Sequence, residues 1–184
     1  MRRAVLLESA IISYNLVEGV VSVIAGLIAG SVVLVGFGFD SAIEVSAAVV
    51  VVFHLARTRD EEEAEWERRV AVFVGLTLLP LAAYVTGRAV FSLATHSEPA
   101  ESWFGIGIAG ASLVVMPFVS MWQRRYAEPI NSLALAADAK ETLVCTYLSA
   151  VTLAGLGINA LLGWWWADPV ASLVMVVFIV REGW

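Results

Sequence analysis

Three uncharged apolar stretches dominate the chain: Val70 to Gly87, Ser102 to Gln123 and Thr142 to Ala167. A helix rises about 1.5 Å per residue, so roughly 20 residues cross the hydrocarbon core of a bilayer. Each stretch reads as most or all of one spanning helix. A fourth, Gly19 to Phe39, has Glu8 and Glu18 before it and Asp40 and Glu44 after it, and Gly30-Ser31 interrupts it. That dipeptide is a turn signal. The stretch therefore reads as the back half of one helix and the front half of the next. A short final span begins near Trp165. The pattern predicts an all-α polytopic membrane protein, a single transmembrane domain over 1–184. Its six transmembrane helices are expected at about 4–29, 31–56, 67–94, 103–124, 131–162 and 165–183.

Charge placement supports six crossings. Loops on the cytoplasmic side carry the excess of Lys and Arg. Six spans put Arg2, Arg3, Arg57, Arg59, Arg68, Arg69, Arg124, Arg125 and Arg181 on one side, nine of the eleven basic residues. The opposite side holds the Gly30 turn, the segment His96 to Glu101 and the turn from Gly163 to Asp168, none with a Lys or Arg. Both termini are thus expected in the cytoplasm, and five spans would scatter the basic residues. Trp103 and Trp164-Trp165-Trp166 sit at outer helix ends, where aromatic belts form. Asp168-Pro169 has the form of an N-cap followed by proline at the first helical position. Glu8 interrupts the first apolar stretch and no convincing cleavage site follows it, so no signal peptide is expected.

Composition narrows the classes further. The chain is 60% hydrophobic and 15% charged, with a mean hydropathy of +0.83. Soluble domains run nearer 45–50% apolar and about 25% charged, so an ordinary soluble enzyme is excluded. A formal charge of -6 argues against nucleic-acid binding. A lone cysteine, Cys145, leaves no intramolecular disulfide and no multi-cysteine zinc module. The run Asp60-Glu61-Glu62-Glu63, with Glu65 and Glu67, reads as the first turns of the third span, where carboxylates favour the positive helix end. His54 and His96 lie at helix ends and read as solvated. No prosthetic group is expected, and no nucleophile–His arrangement suggests an enzyme.

Acids at membrane depth are the informative feature, because each costs roughly 2.5–3.5 kcal/mol on an insertion scale. The second span carries Asp40 and Glu44 at i and i+4, hence on one face, about 14 and 20 Å from Ser31 along the axis. The fifth carries Asp138, Glu141 and Cys145, again on one face. Spans two and five have opposite parity, so the two pairs face each other at similar depth. Three carboxylates and a thiol so placed repel one another unless a cation or protons join them. A divalent cation does so best, since metal sites accept S and O donors together. Glu8, Asn15, Glu18 and Ser22 form a further stripe on the first span, read mainly as bundle packing and as proton or water access. Asp138, Glu18 and Asn15 are secondary candidates for the metal. Arg88 is expected to snorkel or to pair with Glu18, and Lys140 to meet Glu8.

The segment Gly36-Phe37-Gly38-Phe39-Asp40-Ser41-Ala42-Ile43-Glu44 resembles the second-helix motif of the cation diffusion facilitator (cation efflux) family. Ala137-Asp138-Ala139-Lys140-Glu141 followed by Cys145 resembles its fifth-helix motif, and Gly163 to Pro169 the turn before its sixth helix. Asn15 and Glu18 fit its first helix. The resemblance spans essentially the whole chain. It implies export of divalent metal in exchange for protons, by a homodimer in the cell membrane surrounded by lipid. Carried over by position, it implies metal ligation by Asp40, Glu44, Glu141 and Cys145. Many zinc-transporting members have histidine at the Glu141 position and aspartate at the Cys145 position. Zinc remains the default cargo, with iron, manganese, cobalt and cadmium as alternatives. Typical members continue into a soluble cytoplasmic domain, whereas this sequence stops at Trp184, so the transmembrane domain alone is expected. The competing reading is a membrane metal sensor or assembly subunit that does not transport.

Overall fold

The computed structural model describes residues 2–56, 79–130 and 132–183. The acidic run at 60–67, and the part of the third span before residue 79, lie outside them. The described residues are helical throughout apart from short connections, and none forms a strand. Helix α1 covers Arg2–Ala29 and α2 covers Val32–Ala56. The described part of α3 is 79–95. Helices α4 (Trp103–Ile130), α5 (Leu133–Leu162) and α6 (Ala167–Gly183) complete the order. Among the described residues, α1, α2, α4 and α5 are each long and apolar enough to cross a membrane.

Backbone chemistry marks the turns. Gly30 sits at φ +69° between α1 and α2, a conformation that costs a residue without Cβ little. Gly163 ends α5 at φ +65°, and its N–H closes on the Asn159 carbonyl at 2.9 Å. Ser132 caps the start of α5 by accepting from the Leu135 N–H. Asp168 departs from the expected cap of its own helix. It lies inside the first turn of α6, and its Oδ1 accepts from Val32 N at 2.9 Å, while Ser31 Oγ donates to Oδ2. A carboxylate at a helix N-terminus answers both orphan N–H groups and the positive dipole end. Here the helix so capped is α2, which ties α6 to the α1–α2 turn.

Helix α2 is the axis of the bundle. Every residue from Ser31 to Gly38 is buried, with Phe37 at 0% exposure. Val33, Leu34 and Phe37 pack with Ala82 of α3, Met116 of α4, Leu148 of α5 and Met175 of α6. The surface has the opposite polarity to that of a soluble protein. Leu16, Val20, Leu27, Phe104 and Trp122 are exposed, while Glu8, Asn15 and Glu18 on α1 are buried. Only a hydrocarbon solvent makes that arrangement favourable.

Helices α1 and α2 approach to backbone contact. A Cβ on Gly38 would lie 2.8 Å from the Gly19 carbonyl oxygen and 2.7 Å from Val23 Cγ2. Small residues permit this approach, and it gives membrane helices dispersion contact that lipid would otherwise supply. Gly38→Val is expected to force the pair apart and to cost about 1–3 kcal/mol, the range for overpacking a tight interior. The check is a lower midpoint in thermal unfolding of detergent-purified protein. The control is Gly110→Ala, where an added Cβ meets no atom within 4 Å.

Candidate metal centre

Helix α1 carries a buried stripe at Ala4, Glu8, Ile11, Asn15, Glu18 and Ser22. Alternating steps of three and four keep these residues on one seam. The seam delivers Glu18 to the level where α2 presents Glu44 and α5 presents Cys145. One ligand atom from each of these three residues lies within 4.8 Å of the other two. All three are buried, and the Cys145 thiol is free and lies beside the Glu44 carboxyl.

Neighbours hold the carboxyls in place. Asn15 Nδ2 donates to Glu44 Oε2 at 3.0 Å. Ser112 of α4 donates to Glu18 Oε1, and the Tyr14 hydroxyl lies 2.8 Å from Ser112 Oγ. Among the described residues, Glu18 Oε2, Glu44 Oε1 and Asn15 Oδ1 have no hydrogen-bond partner. Buried oxygens without a donor are rare and ask for an ion or a water. Every Lys and Arg whose side chain is described is exposed, so none of them neutralises the centre. Two carboxyls and a thiol are donors that a divalent cation such as zinc accepts in one shell, with Asn15 orienting the Glu44 carboxyl.

The model of the cation efflux transmembrane domain matches residues 9–184. The chain belongs to the cation efflux family. Its members are metal cation transporters, not enzymes. No curated protein matches the chain.

Within this cation efflux domain, the six-helix fold brings together only part of the set expected from the motifs. Glu44 and Cys145 meet, and the third member of the cluster is Glu18. Asp40 lies one turn before Glu44, buried, and acts electrostatically on both Glu44 and Cys145. Glu141, one turn before Cys145, is half-buried and is not one of the three clustered residues. Asp138 turns instead to Glu8 and to Gln123, whose Nε2 donates to Asp138 Oδ2. Neither expected basic partner is present at its acid. Arg88 and Lys140 are exposed, while Glu18 takes Ser112, and Glu8 takes Gln123 and Asp138. Dehydrating a basic head group costs more than recruiting a hydroxyl or amide already inside the bundle. His96 is far from this chemistry, its ring centroid 4.9 Å from that of Trp165.

The motifs did not single out Ser112 and Gln123. Their signal was the small or polar residues along one buried seam of α4 at Gly105, Ala109, Ser112, Ser120 and Gln123.

Cobalt(II) titration is expected to give a thiolate-to-metal absorption band that Cys145→Ser removes. Asn15→Leu is expected to keep the band and to weaken cobalt binding about 10–100-fold, the usual cost of losing a group that orients a ligand. Direct titration in detergent measures both.

Proposed function

We propose that this protein carries a divalent metal cation across the cell membrane in exchange for protons, through the centre between α1, α2 and α5. One observation carries the reading: a thiol and two carboxyls gathered within 4.8 Å inside an apolar bundle. Such a group is unfavourable at membrane depth unless a cation or protons occupy it. A site at mid-membrane serves both faces in turn when the helices around it rock, which is alternating access.

Asp40 and Glu141 complete the proposed ligand set. Each stands one helical turn from a member of the cluster, within the reach of a side-chain and helix adjustment when metal binds. Zinc is the proposed cargo, because it accepts sulfur and oxygen donors in one tetrahedral shell. The family resemblance supports a homodimer, with both termini on the side that collects nine of the eleven basic residues.

Proton exchange follows from ligand chemistry. A carboxyl or thiol must lose its proton to bind metal, so binding releases protons and weakens as pH falls. Lower pH on the receiving side therefore favours release there.

Flux of zinc, cadmium, cobalt, manganese and iron(II) into proteoliposomes tests the reading. Expected are metal-selective uptake that an opposed proton gradient accelerates, and loss of uptake in Asp40→Asn and Glu44→Gln with the fold retained. Uptake that survives both substitutions overturns the site. Metal binding without flux for any cation would leave a membrane sensor or assembly subunit. A second check is the sign of the pH effect: apparent affinity for metal should rise with pH on the loading side.

A further inference from the structure

A second buried polar group lies apart from the metal centre, where α1, α4 and α5 meet. Glu8 and Gln123 are 0% exposed and Asp138 is 5% exposed. Gln123 Nε2 donates to Glu8 Oε1 at 3.2 Å and to Asp138 Oδ2, and the two carboxyls contact each other. Ser120 Oγ donates to the Ala139 carbonyl beside them, fixing α4 against α5. Among the described residues, Glu8 Oε2 and Gln123 Oε1 have no partner, although both side chains are completely buried.

We propose that Glu8, Asp138 and Gln123 form a second cation station, lined by oxygen alone, on the route between the metal centre and the membrane face where α1 and α5 begin. Position supports it. Glu8 precedes Glu18 by about 15 Å of helix and Asp138 precedes Cys145 by about 10 Å. Both offsets run toward the same face, because α1 and α5 have like parity. Charge supports it as well. Two carboxyls against one another need one divalent ion, or protons, to be neutral. The basic residues nearest in sequence, Arg124, Arg125 and Lys140, are exposed. The further carboxyls that act on Asp138, or feel it, are Glu141 on α5 and Glu44 on α2, which add negative charge.

The donor set defines the ligand class. With no sulfur or nitrogen, the station suits a hard, partly hydrated divalent cation. Rotating the Gln123 amide about its last torsion exchanges its NH2 for its oxygen, so the group can donate to the carboxyls when the station is empty and ligate when it is filled.

This inference rests on the transport reading, and manganese and cadmium separate the two. Equilibrium dialysis of nanodisc-embedded protein is expected to show two bound Mn²⁺ per chain in wild type. Glu8→Gln and Asp138→Asn should each remove one Mn²⁺ while leaving the cadmium–thiolate absorption of Cys145. Cys145→Ser should remove that absorption and keep the Mn²⁺ bound at the station. Gln123→Leu, which preserves both acids, should weaken one Mn²⁺ site about ten-fold. It is the deciding variant if the acid substitutions fail to fold. An unchanged count in Glu8→Gln, an unchanged affinity in Gln123→Leu, or a single Mn²⁺ per chain that Glu44→Gln abolishes would overturn the station. Cadmium absorption that persists in Cys145→Ser would instead overturn the metal centre, and the Mn²⁺ count would still decide the station.

Discussion

Carboxyl groups sit inside an apolar bundle whose described basic residues are all on its surface. That imbalance governs the rest. An isolated carboxylate in hydrocarbon is too costly to persist, so each buried acid must share a proton, accept hydrogen bonds or hold a cation. Helices α1 and α4 accordingly carry Asn15, Ser112 and Gln123 toward the acids. These neutral partners satisfy some of the oxygens and leave others open. Lysine or arginine in their place would neutralise the acids permanently and close the interior to metal.

Helix α2 converts that chemistry into a defined place. Its first two turns, to Gly38, are enclosed on every side, capped by Asp168 from α6 and laid against α1 with backbone contact at Gly19 and Gly38. A helix so enclosed has little freedom to rotate. The level and facing of Glu44 are therefore set by apolar packing remote from the ligands themselves.

The six helices and the family were legible because hydrophobic run length and the Gly36-to-Glu44 motif are local signals. So was the turn at Gly30, where a positive φ confirms what the dipeptide suggests. The composition of the centre was legible only in part. Spacing shows that Asp40 shares a face with Glu44, and Glu141 with Cys145, but not which member of each pair reaches the helix crossing. That depends on how α1, α2 and α5 are rotated about their axes, a tertiary property. Glu18 joins the cluster for the same reason, since the α1 seam points at α2 and α5 together. Ser112 and Gln123 escaped notice because each stands alone in an apolar run, and only the spacing of the whole buried α4 seam sets them apart. Asp168 was read as a local cap because Asp-Pro usually is one; its actual target, the N-terminus of α2, is more than a hundred residues away in sequence.

The glycine contact between α1 and α2 bears on how the ligands are divided. Under the proposed alternating access, helices in contact at Gly19 and Gly38 travel as one body, and that body carries both Glu18 and Glu44. Cys145 belongs to another body, α5. A cation held by all three is a fastener between two moving parts, and relative motion of those parts splits its shell unequally. The two carboxyls leave together and the sulfur stays behind. A metal with strong affinity for sulfur would then remain with α5, whereas a harder one would follow the α1–α2 pair. On the proposed transport reading, ion preference is then a mechanical property as much as a coordinative one.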